Sequence, residues 1–244
     1  NLVRTSRAAH AQLAAVRALD LESLPDELRE VAALRLRHPT ASVAELARRC
    51  RPQTTKARTR YTYYQDTKSV PWFASVHVLN RPHSITADVE IPTGGAEGVL
   101  LCQGTGSGGY ALYIKDGKLQ YVHNYVSRDY FQVVSVEPVP EGRHQLRFEF
   151  EPTGKPDIPH GRGTPGRGLL YIDGTLVGAV EMPYTTPIFS MGGLTCGANP
   201  GLPVTPEYAS PFKFTGRIYG VTVDVSGDLI KDSEAELRVV MARQ

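Results

Sequence analysis

Residues 84–136 constrain the fold more than any other part of the chain, because apolar and polar side chains alternate there between glycine turns. In Ser-Ile-Thr-Ala-Asp-Val-Glu-Ile at 84–91, Ile85, Ala87, Val89 and Ile91 fall on one side and Thr86, Asp88 and Glu90 on the other. That is the period of two of a half-buried strand. Short strands follow at 98–103 and 110–115, and Asp116-Gly117 then leads into a strand ending at Tyr125. Asp-Gly supplies the positive φ that both central residues of a type I′ turn require, so it marks a hairpin. The device recurs at Asp173-Gly174, between Leu169-Leu170-Tyr171-Ile172 and Thr175-Leu176-Val177. Two such hairpins in one β-rich region predict a sandwich.

The neighbouring segments fit the same architecture. Residues 61–64 begin the first strand, and 129–136 make another. Along 144–151, Leu146, Phe148 and Phe150 face inward while Arg147, Glu149 and Glu151 face outward. Residues 152–168 carry no periodicity and many Pro and Gly, which predicts a loop with a basic, glycine-rich tip. Residues 212–225 alternate again and close the body.

The first 60 residues read differently. Residues 2–19 hold no Gly or Pro and are rich in Ala, Leu and Arg, which predicts a helix. A second opens at Ser23 and Pro25, with Asp26 and Glu27 in its first turn, and runs to Arg37. Ser42-Val43-Ala44-Glu45 is a capping box that starts a short helix through Arg49, and 54–58 look like the first turn of another. Residues 1–60 carry twelve Lys and Arg against six Asp and Glu, while the rest carries fifteen against nineteen. A basic head above a slightly acidic body suggests an anionic partner. Short helix, tight turn, basic helix start is the order of a helix-turn-helix, although a small bundle with a solvated arginine face has the same pattern. Residues 234–243 predict a terminal helix capped by Ser233. The expected class is therefore α+β with the two kinds segregated: a helical head at 1–58, then an antiparallel sandwich and a short helix at 59–244; the order of the His144-x-Leu-x-Phe-x-Phe strand and the Leu170-Tyr-Ile-Asp-Gly hairpin resembles a jelly-roll sandwich of the laminin-G type.

Two resemblances add to this reading. Asn1-Leu-Val-Arg-Thr-Ser-Arg-Ala-Ala-His-Ala-Gln, Leu24-Pro-Asp-Glu-Leu-Arg-Glu-Val-Ala-Ala-Leu-Arg-Leu-Arg-His-Pro, Ser42-Val-Ala-Glu-Leu-Ala-Arg-Arg-Cys-Arg-Pro and Thr55-Lys56 resemble the C-terminal helix-turn-helix of the WhiA family of sporulation and cell-division regulators. That resemblance implies DNA binding. In that family the recognition helix continues past Thr-Lys for several turns, whereas here Tyr61, Thr62, Tyr63 and Tyr64 favour strand, so a shortened helix is expected. In the body, the motifs at 84–92, 94–100, 112–119, 170–174 and 206–216 resemble, in their order, the C-terminal accessory sandwich of bacterial arylsulfatases. This implies a sandwich that packs against a catalytic domain, without sulfatase activity of its own.

Catalytic and metal-binding motifs are sparse. Cys50-Arg51-Pro52-Gln53-Thr54 imitates the start of the sulfatase formylglycine motif but carries Thr54 where the motif needs arginine. The seven His show no zinc spacing, and the Gly104-Thr-Gly-Ser-Gly-Gly run precedes a strand rather than a helix, so it reads as a hairpin loop instead of a phosphate cradle. Asp116 and Asp173 read as turn residues before calcium or sugar ligands. Neither a metal nor another cofactor is expected, and the chain is expected not to be an enzyme.

The binding expectations are specific. DNA contacts fall on Arg48, Arg49, Arg51, Thr54, Thr55, Lys56 and Arg58. Trp72, Tyr121 and Tyr125 are candidates for an aromatic face on the sandwich that meets a protein or carbohydrate, with core packing as the competing reading. Three dispersed cysteines fit a reducing, cytoplasmic setting, no apolar run approaches a membrane span, and a start at Asn1 suggests a trimmed chain.

Overall fold

The computed structural model describes residues 58–187 and 192–229. The chain divides into two units at Arg58/Thr59, and the account below concerns the second. The predicted head helices and the 234–243 helix lie outside the described residues. What is described is an all-β sandwich, which corrects the α+β expectation. Its one helical piece is a 3-10 turn at Ile158–His160, because every longer described element is a strand satisfied by a neighbouring strand.

Eleven strands occur in chain order: β1 (Arg60–Tyr63), β2 (His83–Ile91), β3 (Gly98–Thr105), β4 (Gly108–Lys115), β5 (Lys118–Tyr125), β6 (Asp129–Val134), β7 (Gly142–Pro152), β8 (Gly166–Ile172), β9 (Thr175–Met182), β10 (Leu194–Cys196) and β11 (Arg217–Asp224). They form a six-stranded sheet, β1-β11-β2-β7-β8-β9, and a five-stranded sheet, β10-β3-β4-β5-β6. Every strand pairing within the two sheets is antiparallel.

The core lies between the sheets and follows the sequence alternation. Ile85, Ala87, Val89 and Ile91 of β2 and Leu146, Phe148 and Phe150 of β7 meet Tyr110, Leu112 and Ile114 of β4 and Leu119 and Tyr121 of β5. In β3 the register shifts between Val99 and Leu101, so Leu100 and Leu101 both enter the core while Val99 and Cys102 face out. Cys196 belongs to the inner core, on the opposite side of that sheet from Cys102, and burial pushes both thiols up to about 12. On the outer side, Val204, Tyr208 and Phe212 cover Val99, Ala111, Tyr113 and Val122 as a second apolar layer.

Both Asp-Gly hairpins form as read, with Asp116, Gly117, Asp173 and Gly174 at positive φ. The glycine run at 104–109 is likewise a β3–β4 hairpin. A Cβ on Gly109 would lie 2.1 Å from the Gln103 carbonyl oxygen, so the two backbones approach too closely for any other residue. Glu149 faces outward as the alternation requires yet is fully buried, its charge met by Arg147 Nε at 2.6 Å.

Candidate functional site

The β5–β6 turn and the β7–β8 connection enclose an open polar cleft of about 320 Å³, lined by Tyr125, Arg128, Asp157, His160, Arg162 and Tyr184. Each wall has its own local cause. Val126 and Ser127 form the β5–β6 turn at φ 47° and 61°, a left-handed conformation that a β-branched residue such as Val126 rarely adopts. The turn is held from below: Ser127 N–H donates to Asn124 Oδ1 at 2.7 Å, and Asn124 Nδ2 donates to the Gly106 and Val204 carbonyls at 2.8 and 2.7 Å. The Arg128 backbone N–H closes the turn on the Tyr125 carbonyl at 2.9 Å, which places its side chain at the mouth.

The opposite wall is the 153–165 loop. Its tip is a small closed ring in which the N–H groups of His160 and Arg162 both donate to the Asp157 carbonyl, at 3.2 and 3.0 Å, and Gly161 takes the left-handed conformation. The ring is fastened to the sandwich where Gly163 N–H donates to the Thr185 carbonyl at 2.7 Å and Thr164 N–H to Asn80 Oδ1 at 2.8 Å. Tyr125 Oη donates to the Gly161 carbonyl at 3.0 Å, tying strand β5 to the tip.

Tyr184 forms the floor. Tyr125 meets it edge-on at 4.8 Å, Phe131 edge-on at 5.3 Å, and the Arg162 guanidinium lies 4.9 Å above its ring. Its hydroxyl donates to Asp129 Oδ2 at 2.9 Å; that bond raises the Tyr184 pKa, with burial and the Asp129 charge adding to it. Asp129 also pairs with Arg128 at 3.4 Å, and Asp157 accepts from His160 Nδ1 at 2.8 Å. Two guanidinium groups, one carboxylate, an imidazole and two phenol rings therefore line one small space, with the Asp129 carboxylate bonded to two of them.

A second, narrow pocket of about 20 Å³ reaches into the core, lined by Val78, Leu79, Asn80, His83, Tyr121, His123, Phe150, Met182 and Thr185. His83 Nδ1 donates to the Arg81 carbonyl at 3.1 Å, so the neutral ring presents Nε2 as an acceptor, and among the described residues no partner meets it. Burial pushes its pKa down to about 4. His123 Nε2 accepts from the Thr186 N–H at 2.9 Å, which puts its proton on Nδ1, and burial together with the His83 charge lowers its pKa to about 3.

The residues expected to bind distribute unevenly. Arg48, Arg49, Arg51, Thr54, Thr55 and Lys56 lie outside the described residues, and Arg58 is exposed just before β1. The proposed aromatic face does not form. Trp72 is 44% exposed on a loop, against Phe73 and His77, whereas Tyr121 is only 2% exposed and stacks on Phe148 within the core. Tyr125 alone of the three reaches the cleft. Arg128, Asp157, His160, Arg162 and Tyr184 were not singled out from the sequence; the basic, glycine-rich tip of the 152–168 loop was the only signal that touched them.

Residues 1–62 match the family model of the WhiA C-terminal HTH domain. The match ends inside β1, whose residues Arg60, Tyr61 and Thr62 pair with Asp224, Val223 and Thr222 of β11. No curated protein matches the chain. Among solved structures, the Ruminococcus gnavus IT-sialidase CBM40 bound to α2,6 sialyllactose is 12% identical with a TM-score of 0.46, over 72% of this chain and 96% of that one. Mouse laminin α1 domains LG4-5 are 12% identical with a TM-score of 0.41, over 70% of this chain and 40% of that one. A pentraxin from Limulus polyphemus is 12% identical with a TM-score of 0.34, over 70% and 75%. Likenesses at this level carry no function across. Among the described residues no helix is long and apolar enough to cross a membrane, and no group of three His, Cys, Asp or Glu stands ready to hold a metal ion.

Proposed function

We propose that the chain is a non-catalytic binding protein in two parts, a DNA-reading head of the WhiA type and a β-sandwich that acts as an interaction module. The observation that carries the first part is the family match over residues 1–62, together with the excess of basic over acidic residues in the same stretch. In this reading Arg48, Arg49, Arg51, Lys56 and Arg58 neutralise phosphates, and Thr54 and Thr55 open the recognition element. A DNA reader of this kind works in the cytoplasm, where the buried thiols of Cys102 and Cys196 stay reduced. An arylsulfatase-type origin for the sandwich rests on the order of its sequence motifs alone. The absence of catalysis rests on Thr54 standing where a formylglycine motif needs arginine.

Fluorescence anisotropy of the whole chain with a labelled duplex, across a salt series, tests the head. Binding is expected at low salt and weakens steeply, with a log–log slope of about −0.9 per phosphate neutralised. Replacing Arg48 and Arg49 with Ala should reduce that slope by about two. Absence of binding at low salt would mean that the head, with the shortened recognition helix expected from its sequence, no longer reads DNA. The second reading, an interaction module without DNA binding, would then stand alone; the open cleft favours it independently of the head.

A further inference from the structure

The geometry points to the cleft between the β5–β6 turn and the 153–165 loop as a binding site for a carboxylated sugar, a hexuronate-like unit at the end or edge of a polysaccharide. This rests on reading the sandwich as an interaction module and is independent of the head. Three properties of the site select that chemistry.

The first is charge. Arg128 is exposed at the mouth and engages only the edge of Asp129, at 3.4 Å. Arg162 has its guanidinium carbon 4.9 Å from the centre of the Tyr184 ring, and no carboxylate pairs with it among the described residues, so its N–H groups remain to meet a ligand. Two such forks suit a planar carboxylate, which they can bind bidentately. Asp157 lines the same cleft and Asp129 bonds to two of its lining residues, Tyr184 and Arg128, and the negative charge of the two carboxylates disfavours a dianion such as a phosphate monoester but leaves a monoanion acceptable.

The second is hydrogen bonding. Asp129 and Asp157 each use part of their acceptor capacity on Tyr184, Arg128 and His160, and a carboxylate has room for about four bonds. The remaining lone pairs suit a ligand rich in hydroxyl donors. The third is shape. About 320 Å³ lies at the small end of the roughly 300–1,000 Å³ range of ligand pockets, and Tyr184 and Tyr125 give an apolar side for the C–H groups of a pyranose ring.

The walls are prepared rather than incidental. Val126 is held in a left-handed conformation that costs energy, and strain of this kind persists where the surroundings over-determine it. Here Asn124, Ser127 and Gly106 do so, and the result is a fixed turn from which the Arg128 side chain leaves the backbone. Across the cleft, the Asp157 carbonyl and Gly163 lock the tip that carries His160 and Arg162.

The test titrates the whole chain with methyl β-D-glucuronide and, separately, with methyl β-D-glucoside, which differs chiefly in lacking the carboxylate. Binding is followed through the arginine Nε–Hε NMR resonances, assigned by Arg128→Ala and Arg162→Ala. The glucuronide should shift both arginine signals, with each single variant weakening it at least about tenfold, and the glucoside should bind at least about tenfold more weakly than the glucuronide. Both side chains are exposed, so the variants keep the fold. Equal binding of the two sugars overturns the carboxylate assignment while leaving a carbohydrate module standing. Shifts produced by inorganic phosphate at equal or lower concentration replace the sugar with a simple anion. Silence with both sugars overturns the assignment and the carbohydrate reading together, leaving DNA binding untouched.

Discussion

Tyr121 and Tyr125 lie four residues apart on the same side of strand β5, and each sits near a histidine, yet one belongs to a narrow core pocket and the other to an open cleft. Around Tyr121, two neutral histidines and an apolar wall leave about 20 Å³. Around Tyr125, charged groups surround a space of about 320 Å³. The residue types are similar. What separates them is depth along the strand: position 121 is covered by the opposing sheet at Phe148, and position 125 is the last residue before the turn. Burial turns a polar ring into a stability element, and exposure turns it into a contact.

Acid should separate the two regions most strongly. His83 and His123 stay neutral in the folded chain but take up protons below about pH 6.5 once unfolded, so the unfolded state binds more protons in acid. Stability is then complete above pH 6.5 and falls as pH drops toward 4 for His83 and 3 for His123, by roughly 3–5 kcal/mol per histidine. Urea unfolding at pH 7, 6 and 5 reads this directly, and a flat profile would remove the core pocket from the account. On the surface His144 runs the opposite way. Burial lowers its pKa, but the bonds to Asp173 and the Glu141 carbonyl outweigh that, so its contribution is present in acid and fades as pH rises past its raised value.

Truncation should separate them next. Tyr121→Ala removes a ring packed flat on Phe148 and should cost about 3–5 kcal/mol in chemical denaturation. Tyr125→Phe keeps the ring and loses only the bond to the Gly161 carbonyl, so about 1 kcal/mol or less is expected. Near-equal losses for the two substitutions would show that the cleft tyrosine is as structural as the core one.

Much of this was legible before any coordinates. Alternation placed the inward faces of β2 and β7, and two Asp-Gly pairs placed two hairpins, because a side-chain period and a φ requirement are local properties. The sequence groups Tyr121 and Tyr125 as aromatic rings with a contact face or core packing as alternatives, and nothing local tells how far along a strand the opposing sheet extends. That is why an aromatic contact face was expected where a core ring sits. The cleft escaped for another reason: residues 125, 128, 157, 160, 162 and 184 meet only after the five strands β5 to β9 have paired, and Val126 and Ser127 carry no sequence signal for the left-handed turn before Arg128. The α+β expectation failed in the described chain because every segment read as helical lies outside it.

The family match runs to residue 62, and β1 begins at residue 60, so three residues belong to both parts. The boundary of the family match and the boundary between the two structural units, at Arg58/Thr59, therefore do not coincide. Ending a fragment at 62 would strip the six-stranded sheet of its outermost strand and bare the edge of β11, with unpaired N–H and C=O groups that template aggregation. Ending it at 59 would spare the sheet and shorten the matched segment instead. The edge strand of the sheet thus carries the last three residues of the matched segment, and the sheet's integrity sets how short a head fragment has to be.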